Sequence, residues 1–127
     1  MSKETNTNII TIDELIAQKE NLLKKEKATA VMHVKSLDRD VKIEEPSTAI
    51  LADIEDMDAR FANRYVLYEC LVEPDVKSTA IHEAFGKPKV AHDVLDYIFK
   101  DGEITKLADA CVALAGYGND SITAVKN

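Results

Sequence analysis

Helix-starting and helix-stopping residues recur at short intervals through the second half of the chain, and this punctuation limits the fold to a run of brief amphipathic helices. The marks are Asn63-Arg64-Tyr65, Glu69 to Pro74, Phe85-Gly86, Gly102-Glu103 and Leu114-Ala115-Gly116. Glycine tolerates the left-handed backbone that closes a helix, and proline lacks the donor that would continue one, so each mark ends a segment before the next begins. Asp58 is placed to cap a helix in which Phe61, Tyr65, Tyr68 and Val72 share one face, with Leu71 beside it, as far as Pro74. Ser78 caps a shorter helix carrying Ile81 and Phe85 one turn apart, stopped by Gly86 and held off by Pro88. Val90, Val94, Tyr97 and Ile98 make the next stripe, closed by a Lys100-Asp101-Gly102 turn whose glycine accepts positive φ. Ile104, Leu107, Ala108, Cys111, Leu114 and Ala115 fall at the spacing of a buried helix face ending at Gly116, and Glu103 suits its positive N-terminal end.

The first half changes period. Residues 1–10 read as a disordered start. Thr11 and Glu14 then form a capping box with Ile10 stapled on Leu15, opening a helix over 11–27 whose stripe is Ile12, Leu15, Ile16, Leu22 and Leu23. That helix needs a partner surface, internal or external. Over 29–44, Ala30, Met32 and Val34 alternate with Val31, His33 and Lys35, and Val41 and Ile43 with Lys42 and Glu44, which predicts a β-hairpin. Two strands alone are marginal in water, so the hairpin must lie on a helix or on another chain. Pro46-Ser47-Thr48 opens the helical region, 47–116, with Ile50, Leu51, Ile54 and Met57 opposite Asp53, Glu55, Asp56 and Asp58. Residues 117–127 read as a flexible tail.

At 127 residues the chain reads as one domain, long enough to bury a real core. The fold class expected is mainly α with some β (α+β): a compact bundle of short amphipathic helices and one small antiparallel β-hairpin near the N-terminus. No tryptophan and 6% aromatic residues point to a core of Leu, Ile, Val and Ala. A net charge of −7 sets the chain against nucleic acid, since a polyanion repels it at long range. Lys19, Lys24, Lys25 and Lys27 read as a solvated face and the cation-favouring end of a helix. No apolar run approaches the roughly 20 residues of a membrane span, so the expected location is the cytoplasm. Cys70 and Cys111 read as small buried hydrophobes, with a disulfide the less favoured alternative.

Reactive constellations are not found. His82-Glu83 would need a second histidine one turn on to grip zinc, and position 86 is glycine; His33, His82 and His92 are scattered. Gly86-Lys87-Pro88-Lys89 lacks the converging amides of a phosphate loop, and Gly116-Tyr117-Gly118 lacks the strand and helix of a dinucleotide site. The acidic pairs Asp53/Asp56 and Asp93/Asp96 read as solvated helix faces, and Ser47, Ser78 and Ser121 as caps or loop residues. Catalytic, cofactor-binding and metal-ligating residues are therefore all expected to be absent.

Together Asn63, Tyr65, Val72-Glu73-Pro74, Phe85-Gly86, Gly102-Glu103, Leu107, Ala110 and Gly116 resemble the pattern of the XkdN-like tail assembly chaperones of phages and prophages of Gram-positive bacteria. The match runs from Ala59 to about Gly116 and consists of structural marks. The chain departs from that family in its compact hairpin and its short segment after Gly116. The resemblance implies a non-enzymatic protein of the host bacterial cytoplasm that binds and solubilises the tape measure protein before tail tube polymerisation and is absent from the virion. Other tail assembly proteins and self-association are further contacts it allows. It also implies a longer frameshifted form, for which a slippery run encoding Val125-Lys126-Asn127 is the expected site. The alternative function is a small helical structural subunit of a phage tail or connector, which would persist in particles. Leu71, Ile81, Phe85, Tyr97 and Phe99, apolar residues near helix ends, are the expected partner-binding residues.

Overall fold

The computed structural model describes residues 8–118 and 121–125. Residues 1–7 of the expected disordered start, and 119–120 and 126–127 of the expected tail with part of the proposed slippery site, lie outside the described residues. Helices α1 (Ile12–Ala17) and α2 (Lys19–Leu23) lead into β1 (Thr29–Val34) and β2 (Arg39–Glu44), followed by α3 (Thr48–Asp53) with a 3-10 turn at Ile54–Asp56. Then come α4 (Ala59–Cys70), β3 (Leu71–Glu73), α5 (Thr79–Ala84), a 3-10 helix at Ala91–Tyr97 and α6 (Asp101–Val112), which ends in a wider turn at Ala113–Tyr117.

The short-range chemistry read from the sequence is in place. Thr11 Oγ accepts the Glu14 N–H, and Glu14 Oε1 accepts the Thr11 N–H. Ser47, Asp58 and Ser78 each accept an N–H three residues on. Gly86 and Gly116 take positive φ, as helix stops require. Gly102 differs: it sits inside α6, not in a turn before it, because Glu103 Oε1 accepts the Lys100 N–H at 2.8 Å and the helix starts at Asp101, two residues earlier than expected. Glu103 also accepts from Ser36 Oγ, tying the hairpin turn to α6, and the Lys100 backbone bond holds its carboxyl below the usual range.

The hairpin pairs in the expected phase, with Met32 opposite Val41 and Ala30 opposite Ile43. Val34, Val41 and Ile43 face the core. A third strand joins it, giving the antiparallel order β1-β2-β3, with Ile43 opposite Leu71. The expected helix up to Pro74 therefore ends at Cys70. Proline biases the residue before it toward extended backbone, and the open edge of β2 offers the bonds that α4 would otherwise supply.

The sheet lies on α4 and α6, which pack on one another. Val66, Leu67 and Cys70 of α4 meet Ile104, Leu107, Ala108 and Cys111 of α6, with Val94, Leu95 and Phe99 filling one end and Val76 another. The α6 face is the one expected, but the α4 face is not. Phe61 is exposed, and Ala62, Arg64, Val66 and Leu67 point inward instead. The stripe before α6 is shifted in the same way: Val90 and Tyr97 are exposed, and His92, Val94 and Leu95 are buried.

Candidate interaction surfaces

Among the described residues, two apolar surfaces find no cover. The first is the arm formed by α1 and α2. Neither helix buries a residue, and they contact one another more than any other element. Ile9, Ile10, Ile12, Leu15, Ile16, Leu22 and Leu23 are 40–76% exposed. The sequence requirement for a partner is thus not met among the described residues, and the expected helix to Lys27 ends at Leu23 with a loosened turn at Gln18. The arm is anchored at its far end, where Lys27 Nζ lies 3.2 Å from Glu44 and the Ala28 N–H donates to Glu45.

The second surface is an aromatic pair. Phe85, just beyond α5, and Tyr97, at the end of the 3-10 helix, lie with rings parallel, 6° apart in plane and 5.8 Å between centroids. They remain 38% and 63% exposed. Ile81 sits one turn before Phe85, half-buried against the core. Of the five expected partner-binding residues, only these three reach the surface. Leu71 and Phe99 are core residues, Leu71 because β3 pairs it against Ile43 and Phe99 because the chain turns inward between Tyr97 and α6.

Two wider grooves accompany these surfaces. One of about 360 Å³ runs between β1 and the start of α6, lined by Met32, Val34, Glu103, Lys106 and Leu107. The other, about 500 Å³, lies between α3 and the end of α6, with Leu51, Ile54, Val112 and Tyr117 on its walls.

Of the buried polar side chains among the described residues, Arg64 is held by hydrogen-bond partners and His92 is not. Arg64 donates through Nε to Asp96 at 2.8 Å and through a terminal nitrogen to Asp101, and also reaches the Arg60 carbonyl. The Asp96 bond raises the arginine above its ordinary pKa, and the same guanidinium depresses the Asp101 carboxyl. Asp96 is therefore an ion-pair partner tying α4 to the 3-10 helix, not a free member of a solvated acidic pair. Asp53 likewise accepts from the Tyr65 hydroxyl, whose pKa that bond raises.

The histidines lie apart in the fold as they do in the sequence. His33 bonds Asp40, and His82 bonds the Tyr68 hydroxyl. His92 is buried edge-on against Phe61, with centroids 4.5 Å apart; neither ring nitrogen has a hydrogen-bond partner among the described residues. Burial lowers its pKa. Cys70 and Cys111 are free and buried where α4 meets α6, and a hydrogen bond between the thiols together with burial pushes Cys111 up. A thiol held protonated in a closed core is a poor nucleophile. Among the described residues no group of three or more His, Cys, Asp or Glu is placed to hold a metal, and no helix is long and apolar enough to cross a membrane.

What this arrangement offers is surface for another polypeptide. The arm was visible in the sequence as a stripe needing a partner, yet its residues were not among those expected to bind.

Comparison with known proteins agrees with that reading. The family described as Phage XkdN-like tail assembly chaperone protein, TAC, matches residues 3–126. No match is found among curated proteins or among solved structures.

Proposed function

We propose, from the premise that the chain belongs to the XkdN-like phage tail assembly chaperones, that it binds the tape measure protein in the host cytoplasm and keeps it soluble until the tail tube forms around it. The family is one of assembly chaperones and not of enzymes. What supports the finer reading is uncovered apolar surface on a chain of net charge −7, which makes a soluble cover for a sticky partner. Such a protein leaves before the virion is complete.

The contact assigned to the tape measure protein is the Phe85–Tyr97 pair with Ile81. Aromatic side chains supply large contact area for few ordered rotamers, and these two are already held parallel, so little freedom is lost on binding. Co-expression with the tape measure protein tests this. The partner is expected in the soluble fraction only when this chain is present, and to return to the pellet with the Phe85→Ser, Tyr97→Ser double variant. Unchanged partner solubility without the chain sinks the chaperone reading. Recovery of the chain in many copies from purified virions would favour a structural subunit of the tail instead.

A further inference from the structure

We infer that the N-terminal arm pairs antiparallel with the same arm of a second copy of this chain. The first ground is spacing. Leu15 and Leu22 are seven residues apart, as are Ile16 and Leu23, and Ile12 stands in the same relation to Lys19. A seven-residue repeat is the seam of two helices packed side by side. The structure puts this seam on one side, where Leu15, Ile16, Lys19, Leu22 and Leu23 line a concavity of about 260 Å³ open to solvent. The two helices abut at Gln18, whose N–H donates to the Glu14 carbonyl at the end of α1 and whose own carbonyl accepts the Leu22 N–H at the start of α2.

The second ground is charge, and it selects the occupant. Before Gln18 the described arm carries only Asp13 and Glu14; after it come Lys19, Lys24, Lys25 and Lys27 against Glu20 and Glu26. One half is acidic and the other basic. In a parallel pair, like halves would meet. In an antiparallel pair centred on Lys19, Asp13 and Glu14 of one copy face Lys25 and Lys24 of the other, Leu15 faces Leu23, and Ile16 faces Leu22. This is the self-complementary patch that a twofold interface requires. Lys19 then meets its own counterpart on the axis, its stem over the apolar floor and its ammonium reaching water, which weakens the pair but fixes its register.

The helical part of the arm, from Ile12 to Leu23, spans about 18 Å at ~1.5 Å per residue. Two such arms cover less than about 1,000 Å² together, below the size of stable interfaces. The pair is therefore weak and reversible, and its association depends on concentration. It does not depend on the tape measure protein, so pairing and chaperoning stand or fall separately.

Sedimentation equilibrium of the full chain, from low to high micromolar concentration, tests the inference. Dimers are expected, weakening with salt. Asp13→Lys with Glu14→Lys, or Lys24→Glu with Lys25→Glu, weakens association about tenfold or more, since both ends of the pair change from attraction to repulsion. Mixing these two variants restores a one-to-one dimer, and Lys19→Leu tightens the wild-type pair. All these residues are exposed, and an unchanged thermal melt confirms that the fold persists. A chain that stays monomeric throughout, or a dimer indifferent to these charges, overturns the inference; a monomer whose arm becomes protected only with the tape measure protein present would give the arm to that partner.

Discussion

Breaking the Arg64 cluster from its two sides should have unequal costs, and the inequality follows from where water can reach. The Arg64 side chain is 3% exposed, whereas Asp96 is 34% exposed and Asp101 72%. Replacing Asp96 by alanine removes the 2.8 Å bond from Nε and the 2.7 Å contact from a terminal nitrogen, and leaves a buried guanidinium with only Asp101 and the Arg60 carbonyl. A buried charge stripped of one partner costs about 3–5 kcal/mol when nothing replaces it. The surviving contacts and the partial exposure of Asp96 reduce this to about 2–4 kcal/mol. Replacing Arg64 by methionine removes the buried charge itself. The stem's packing is largely retained, and both carboxylates turn to solvent, so the expected cost is about 1–2 kcal/mol. At about 3–5 °C per kcal/mol for a chain of this size, Asp96→Ala should lower Tm by roughly 10 °C and Arg64→Met by about half that. Urea denaturation with the slope checked for constancy gives the free energies, and calorimetry the melting points. An Arg64→Met variant less stable than Asp96→Ala would refute the reasoning, because it would mean that the pair's attraction outweighs the cost of an unpaired guanidinium.

Other expectations follow from the same structure. Burial depresses the His92 pKa in the folded state, with Asp93 and Asp96 opposing and Arg64 reinforcing the shift, so the unfolded chain takes up the proton first. Stability is then fully present above the unfolded value near ~6.5 and falls as pH drops from there toward the folded value. Asp101 and Glu103, also depressed, act in the same direction but only below about pH 4–4.5. The His92→Leu chain should therefore lose the slope that the wild type shows in denaturant titrations as pH falls below roughly 6.5, and an unchanged slope would move its origin elsewhere. Phe99→Ala, which empties a core site, should cost about 3–5 kcal/mol, whereas Tyr97→Ala, two residues earlier and on the surface, should cost less than about 1 kcal/mol. Equal losses would contradict the division between core and surface.

Local chemistry was legible because it acts over three residues. Thr11, Ser47, Asp58 and Ser78 cap helices through bonds to an N–H three positions on, and such bonds need no knowledge of the rest of the chain. The same holds for Gly86 and Gly116, whose positive φ is a property of the residue, and for the strand alternation that sets Ala30, Met32 and Val34 opposite Ile43, Val41 and Arg39. The resemblance to the family was legible too, in where the punctuation falls, and the family match over residues 3–126 bears it out.

The inward face of α6 was legible from its stripe, but that of α4 was settled only by tertiary structure. On α4 the aromatic stripe beginning at Phe61 looked like the core face, yet the helix buries Arg64, because its guanidinium meets Asp96 and Asp101, 32 and 37 residues away. Leu71 became a strand residue because the edge of β2 was open beside it, and Phe99 went inward while Tyr97 stayed out. The arm shows the converse: its stripe was plain in the sequence, but that none of the described residues covers it emerges only in three dimensions. Hydrogen bonds between neighbours are encoded by neighbours, whereas burial is shared among distant segments and is decided only when the whole chain has closed.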